Sequence, residues 1–362
     1  MGSDILPTLR WGIIATGMIS SWFVRDLALD RDDATAHHII QAIGSSSKEK
    51  GDAFVREYLT HRSSPPKVYG SYAEVYTDPD VDIVYIGTPH GFHKQNCLDA
   101  IAAGKHVLCE KAFAITRREA KEVFEAAKSR GVFVMEALRT RFFPLTKTLL
   151  RFIHEEKIIG NVHRMFCDLG LDMDIASLGP DSRLKNPQLG AGTLLDICLY
   201  SLNWGRMVLD SGRGEYSEKP KVVATQTLSD GIDTATSILL FYPSTGRQGI
   251  LTSTAMSRTP NIFCRIEGTQ GFITVEGESA SIPSAFTIHP KIQDDRITPP
   301  GNKYEFTVPG FGLFWEADAV ANDIVAGRTE NELMPWEETM QIMEIMDEAR
   351  KQGGAQFPQD DA

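Results

Sequence analysis

The sequence predicts an α/β protein: an N-terminal Rossmann domain, built as a doubly wound parallel sheet over residues 1–143, and a second α/β domain with an open, mainly antiparallel sheet over 144–362. Three observations predict it. Up to about residue 137, short apolar runs alternate with helical patterns of about 10–15 residues, the rhythm of βαβ units. Beyond Pro144 strand-like segments follow one another with few helices between them. Between the first strand and the first helix stands a turn of small residues, Ala15-Thr16-Gly17. The length of 362 residues agrees with about two domains.

The first strand covers 9–15 and the first helix runs from 18 to about 29. A second strand, 38–44, precedes a polar helix at 48–58. A weak strand at 68–69 is followed by a clear one at 81–87, Val-Asp-Ile-Val-Tyr-Ile-Gly. A helix over 93–103 stops at Gly104, a strand spans 106–110, and a helix over 116–129 stops at Gly131 before a strand at 132–136. These strands are apolar on both faces, as in parallel sheets covered by helices on each side. The second half opens with a helix at 145–156. Strand character then marks 162–171, 221–228, 234–241, 249–255, 262–267 and 272–275, punctuated by Gly246, Gly268 and Gly271. Helices at 192–208, 314–326 and 336–352 complete the pattern, and 353–362 reads as a loose tail.

Composition narrows the function classes. The net charge of −11 repels phosphate backbones, which argues against nucleic acid and anionic membrane surfaces as partners. No apolar run approaches the ~18 residues of a membrane span. Met1-Gly2 begins like a myristoylation signal, but Leu6 stands where Ser or Thr is needed. The five cysteines are scattered without a Cys-x-x-Cys pair, which predicts reduced thiols in a cytoplasmic protein.

The turn after the first strand is a degenerate dinucleotide fingerprint. Ala15 replaces its first glycine, Gly17 supplies the second and Ser20 takes the third small position. Ala15, Thr16, Gly17, Met18 and Ile19 are therefore candidate contacts to a pyrophosphate, met by the free N–H groups of a helix N-terminus. The end of the second strand discriminates between nicotinamide cofactors. An acid there would bind a ribose 2′-hydroxyl, but the chain reads Ser45-Ser46-Ser47-Lys48-Glu49-Lys50. Hydroxyls with Lys48 and Lys50 suit a 2′-phosphate, so the predicted cofactor is NADP. Ser47 also reads as the cap of the next helix.

Two further stretches carry polar groups: Thr88-Pro89-His90-Gly91-Phe92-His93 with Glu110-Lys111-Ala112, and Gly190-Ala191-Gly192-Thr193-Leu194-Leu195-Asp196-Ile197-Cys198-Leu199-Tyr200. With the fingerprint, they resemble the glucose–fructose oxidoreductase / inositol dehydrogenase family. Glu110-Lys111-Ala112 corresponds to its Glu-Lys-Pro motif, and Asp196 to Tyr200 to its Asp-x-Gly-x-(His/Tyr) helix. Met135-Glu136-Ala137, Thr140-Arg141-Phe142-Phe143-Pro144, Asn186-Pro187 and Phe314-Trp315-Glu316-Ala317-Asp318 resemble the branch of NADP-dependent D-xylose dehydrogenases and dimeric dihydrodiol dehydrogenases. The resemblance implies an NADP-dependent dehydrogenase acting on a hydroxyl-bearing carbon of a sugar or cyclic polyol, assembled as a homodimer. It implies catalytic roles for Lys111, Tyr200 and Asp196, cofactor contacts at Thr88, Pro89, His90, His93, Glu110 and Lys111, and substrate contacts at Arg139, Phe143 and Arg183.

The residues admit that chemistry. Asp196 and Tyr200, four apart, share a helix face. Lys111 follows a parallel strand at its C-terminal end, where doubly wound sheets place ligands. A tyrosine near pKa 10 is a poor base at neutral pH, and a lysine about 4 Å away would lower it, by on the order of 4 kcal/mol at an effective dielectric near 20. Tyr200 is then expected to take the hydroxyl proton, Lys111 to hold the substrate oxygen, and Asp196 to orient Lys111 or a second hydroxyl. His90 and His93 border the nicotinamide or are loop histidines. As a metal pair they lack acidic or cysteine partners, so no metal is predicted. Arg183 lines the substrate entrance or pairs with a surface acid. Two departures stand out: Cys198 where the family has Gly, and Arg139 where the branch has Trp, which points to an acidic or more polar substrate. Two alternatives stay open: a trans-dihydrodiol dehydrogenase or carbonyl reductase on a more acidic substrate, and a catalytically silent NADP-binding regulator.

Overall fold

The computed structural model describes residues 6–60, 64–291 and 300–360. The chain divides into two compact units. The first comprises Met1–Ala114, Arg118–Phe142 and Pro309–Trp336, the second Ile115–Arg117, Phe143–Val308 and Glu337–Ala362.

In the first unit β1 (Thr8–Ile14), α1 (Met18–Asp26), β2 (His37–Gly44), α2 (Lys48–Tyr58), β3 (Lys67–Tyr69), α3 (Tyr72–Thr77), β4 (Ile83–Ile86), α4 (His93–Ala102), β5 (His106–Glu110), α5 (Arg117–Arg130) and β6 (Val134–Ala137) follow in order. The strands form a six-stranded sheet in the order β3-β2-β1-β4-β5-β6, and every pairing is parallel. That is the dinucleotide-binding order, with its switch point between β1 and β4. All four residues of β4 are buried, as a strand covered on both faces must be. The short helix α3 was not foreseen. Val75 on it packs against Gly12, where an added Cβ would come within 2.5 Å of Val75 Cγ1.

A single cut at 143 does not describe the division. The helix Phe314–Val325, expected in the second domain, belongs to the first unit. Asp318 on it pairs with Arg31 at 2.8 Å and with His38 at 2.8 Å. The buried Asp26 accepts from the N–H groups of Phe311 and Leu313, and Trp22 stacks on Phe311 with ring centroids 4.5 Å apart. These polar and ring contacts draw the late segment back onto β2 and α1, a contact that no local pattern encodes.

The second unit opens with α6 (Pro144–His154) and β7 (Val162–Gly170), continues through α7 (Leu199–Leu209), and adds β8 (Lys221–Ser229), β9 (Ile232–Tyr242), β10 (Arg247–Thr254), β11 (Ile262–Gly268), β12 (Gly271–Ser279), β13 (Ile282–Pro290) and β14 (Asn302–Glu305). The eight strands lie in the order β14-β13-β12-β11-β7-β10-β9-β8, antiparallel throughout except for the central β7–β10 pair. Residues in α7 are buried along its whole length. It lies close on β10 because Gly205 leaves room there; a Cβ at 205 would come within 2.6 Å of Leu251 Cδ1. Sequence patterning missed β13 and β14, where Pro283 and the polar run of β14 mask the alternation.

The helix Trp336–Gly353 belongs, apart from its first residue, to the second unit. Its end corrects the expected loose tail. Arg350 binds Asp360 at 2.6 Å and lies over the ring of the buried Phe357, while Ala355 donates its N–H to Gln226.

Candidate active site

The first unit presents a nucleotide cradle at the C-terminal ends of β1, β2 and β4. Ala15 adopts a positive φ of 76° and its N–H is bonded to Gly44 O, which turns the chain sharply out of β1. Gly17 then stands at the N-cap of α1 with no side chain capping the helix, and a Cβ added there would meet nothing. The first N–H groups of α1 are thus left to a ligand. Ser20, the third small position, packs against Gly87 just past β4, so closely that a Cβ on Gly87 would collide with Ser20 Oγ.

At the end of β2 the structure sorts the serines by task. Ser45 is buried and its Oγ lies 3.2 Å from Thr16 Oγ1. Ser47 caps α2, accepting from the Lys50 N–H. Ser46 is exposed and accepts from Lys50 Nζ at 3.2 Å, while Lys48 is engaged by Asp52 at 2.9 Å. Ser46 and Lys50 therefore form the exposed donor pair, and Lys48 is set aside.

Lys111 follows β5 directly and is half-buried; the Lys111–Ala112 peptide is cis. Glu110 turns inward instead, accepting from Tyr85 Oη at 2.5 Å and from the Lys111 N–H. Burial pushes the Glu110 carboxyl up, against the opposing pull of the Tyr85 hydrogen bond and of Lys111 and Arg139.

In the second unit Asp196 lies within a π-helical turn, Leu194–Cys198, that runs straight into α7, whose second residue is Tyr200. The expected plain α-helical face is replaced by this wider turn. Arg183 Nη1 reaches Asp196 Oδ1 at 3.2 Å, so the arginine is joined to the candidate catalytic acid. Tyr200 is nearly buried, at 9% exposure.

Residues 9–138 match the profile of an oxidoreductase family with an NAD-binding Rossmann fold, the glucose–fructose oxidoreductase/inositol dehydrogenase group. The chain is 34% identical to the NADP-dependent D-xylose 1-dehydrogenase of Hypocrea jecorina, over 99% of this chain and 95% of that protein. The chain belongs to this oxidoreductase family. It is also 32% identical to the trans-1,2-dihydrobenzene-1,2-diol dehydrogenase of Sus scrofa, over 97% of this chain and 99% of the relative. Among solved structures, a levoglucosan dehydrogenase in complex with NADH and levoglucosan superposes with a TM-score of 0.80 at 19% identity, covering 96% of this chain and 97% of that one. A 3-ketoreductase from Actinomadura kijaniata with NADP superposes with a TM-score of 0.77 at 20% identity, over 96% and 98%. Both share the fold.

Within this family member, some predicted residues sit differently from expectation. His93 is wholly enclosed, with Nε2 2.7 Å from Thr88 O and Nδ1 2.9 Å from Ala112 O. Burial lowers its pKa, against the pull of the backbone carbonyls of Thr88 and Ala112, and both ring nitrogens are turned to those carbonyls, bracing the strand ends that carry Thr88 and Lys111. His90 is buried with its ring 5.6 Å from that of His93, and no metal-binding cluster occurs among the described residues. Pro89, half-buried, leads into the short turn His90–Phe92. Arg139, expected at the substrate, is 5% exposed with its guanidinium 5.9 Å from the Trp22 ring and near the acids Glu110, Glu316 and Asp26. At 5% exposure its guanidinium is enclosed and presents no open cation to a substrate carboxylate. Phe143 is fully buried at the start of α6.

Sequence reasoning missed the groups behind the cradle. Asn96 donates to Thr88 Oγ1 at 3.1 Å and accepts from Tyr76, fixing the end of β4. Its place on α4, four residues short of the buried Ala100, was the only available signal. A groove of about 530 Å³ on the second unit, lined by Lys219, Lys221, Gln341, Glu344 and Lys351 among others, contains none of the predicted residues.

Proposed function

We propose that this protein is an NADP-dependent dehydrogenase that oxidises a hydroxyl-bearing carbon of a neutral sugar or cyclic polyol, with D-xylose oxidised at C1 to its lactone as the leading case. The observation that carries the reading is the placement of Lys111 immediately after β5, at the same C-terminal end of the parallel strands as the open Gly17 cradle and the Ser46–Lys50 pair.

The cradle fits the cofactor. The α1 N-terminus and the Ala15–Gly17 turn would hold the pyrophosphate, and Ser46 with Lys50 would hold the 2′-phosphate. Bound NADP supplies the hydride acceptor. Lys111 hydrogen-bonds the substrate oxygen, and Tyr200 accepts its proton. Arg183 is joined to Asp196 at 3.2 Å, and Asp196 would hold a second substrate hydroxyl. The choice of a neutral substrate is supported by the enclosure of Arg139, whose guanidinium presents no open cation to a substrate carboxylate. The regulatory reading loses ground because Lys111 and Tyr200 are both present; a sensor needs no base.

The test is absorbance at the reduced-nicotinamide band with NADP and NAD over pentoses, hexoses, uronic acids and diols. Turnover of D-xylose with NADP, lost by at least about 100-fold in Lys111→Met while NADPH binding persists, is the expected result. Near-normal turnover in Lys111→Met refutes the assignment, and tight binding without turnover across the panel favours the regulator.

We further propose a cytoplasmic homodimer. Support comes from a row of apolar side chains in register across the second unit's sheet: Val223, Leu239, Ile250 and Phe166. Val223 is 60% exposed, and Leu239 and Phe166 are 36% exposed each. Such a row on an antiparallel sheet is better covered by a second copy than by water. The five free cysteines, all buried, fit a reducing compartment. No helix among the described residues is long and apolar enough to cross a membrane.

A further inference from the structure

Beneath the turn that carries Asp196 lies a buried carboxylate that the mechanism does not use. Asp233, second residue of β9, is fully enclosed. Its Oδ2 accepts from Thr193 Oγ1 at 2.6 Å, from the Leu194 N–H at 2.7 Å and from Thr236 Oγ1 at 2.7 Å. Ser253 on β10 donates to Thr193 Oγ1 at 3.2 Å, so two strands grip the same residue. Gly192 has a φ of +105°, and a Cβ there would collide with Asp233 Oδ1. The backbone entering the turn is therefore laid directly against the acid, in a conformation open to glycine.

What this grip holds is the π-turn Leu194–Cys198. Such turns carry one residue more than an α-turn and persist where tertiary contacts over-determine them. Were the extra residue relaxed into ordinary α-helix, the chain before the turn would rotate against α7 by about 100°, one residue's worth. Asp196 sits inside the turn and Tyr200 beyond it, so their mutual orientation depends on the π geometry. Cys198, which replaces the family glycine, closes the turn and faces the same Ser253. A buried carboxylate is expensive to maintain without purpose; packing alone would be served by Leu.

We propose that Asp233 is a positioning residue for the reaction: by pinning Thr193 and Leu194 it holds the π-turn, and through it sets Asp196 against Tyr200. This rests on the reading of Tyr200 as the proton acceptor, and the test separates the two. Asp233→Asn and Thr193→Val each weaken the pin, and Thr193→Ser retains it. Should Asp233→Asn fail to fold, Thr193→Val carries the test. Two quantities are read: turnover of D-xylose with NADP, and, in the substrate-free protein, the ¹⁹F resonance of 3-fluorotyrosine placed at position 200. The expected result is a moved resonance with kcat reduced on the order of 10- to 100-fold, NADPH affinity unchanged, and both properties restored in Thr193→Ser. A resonance at its original position in Asp233→Asn and Thr193→Val overturns the pin itself. A moved resonance with unchanged turnover overturns the role given to Tyr200, and with it the part of Asp233 in the reaction.

Discussion

Glu316 allows a quantitative test of the buried charge cluster in the first unit. It is wholly enclosed on the helix Phe314–Val325, and neither carboxyl oxygen has a hydrogen-bond partner among the described residues. Burial above all, and then the negative charge of Glu110, hold its pKa well above the ordinary 4.5; Arg139 opposes the shift without cancelling it. The carboxyl is thus protonated in the folded chain at pH values where the unfolded chain has ionised it. Its contribution to stability is complete below the unfolded pKa and is lost as pH rises toward the folded one. Across that window the loss is about 1.4 kcal/mol per pH unit, because one proton more is bound to the folded state. Glu316→Gln keeps the shape and has no proton to lose. In urea unfolding followed by circular dichroism at about pH 5, 6 and 7, the variant is expected to gain on the parent as pH rises, by up to about 1.4 kcal/mol per pH unit below the folded pKa, other groups cancelling in the difference. A difference that stays constant across these pH values refutes the idea that Glu316 is held neutral.

Three further outcomes are expected. Lys50→Ala should lower kcat/KM for NADP by about 10-fold or more, the worth of one charge-assisted hydrogen bond, and leave NAD unaffected; an unchanged NADP/NAD ratio would reassign the 2′-phosphate site. Leu239→Asp, which sets a charge in the exposed apolar row, should give a folded monomer by light scattering, whereas a persistent dimer would place the interface elsewhere. Arg206 and Glu338 form a buried pair at 3.0 Å, so Glu338→Ala should strand the guanidinium and destabilise the protein by about 3 kcal/mol, toward the low end for such pairs because Gln341 and Ser217 also bind it; an unchanged Tm would refute this.

The first unit was the most legible part of the chain. Its strands and helices are short, locally stabilised and separated by glycine stops, so periodicity locates β1, β2, β4 and β5 to within a residue or two. The cradle was legible for the same reason: Ala15, Gly17 and Ser20 act through their small size at fixed spacing. Less legible were residues whose meaning depends on what packs against them. His93 reads as a loop histidine, yet its ring joins the carbonyls of Thr88 and Ala112. Arg139 reads as a substrate residue, yet it lies among Glu110, Glu316 and Asp26.

Local pattern was enough for the two-part α/β architecture, the nucleotide-binding turn, the absence of an acid at the end of β2, and the identities of Lys111, Asp196 and Tyr200. All of these rest on patterns within a turn or a strand. Folding alone brings Phe314–Val325 back to the first unit, sets Lys50 and not Lys48 against Ser46, and lays Asp233 on the entry to a π-turn forty residues earlier in the chain. Propensity and spacing act over neighbouring residues. The direction of a buried charge is decided by groups that meet only after the chain has folded.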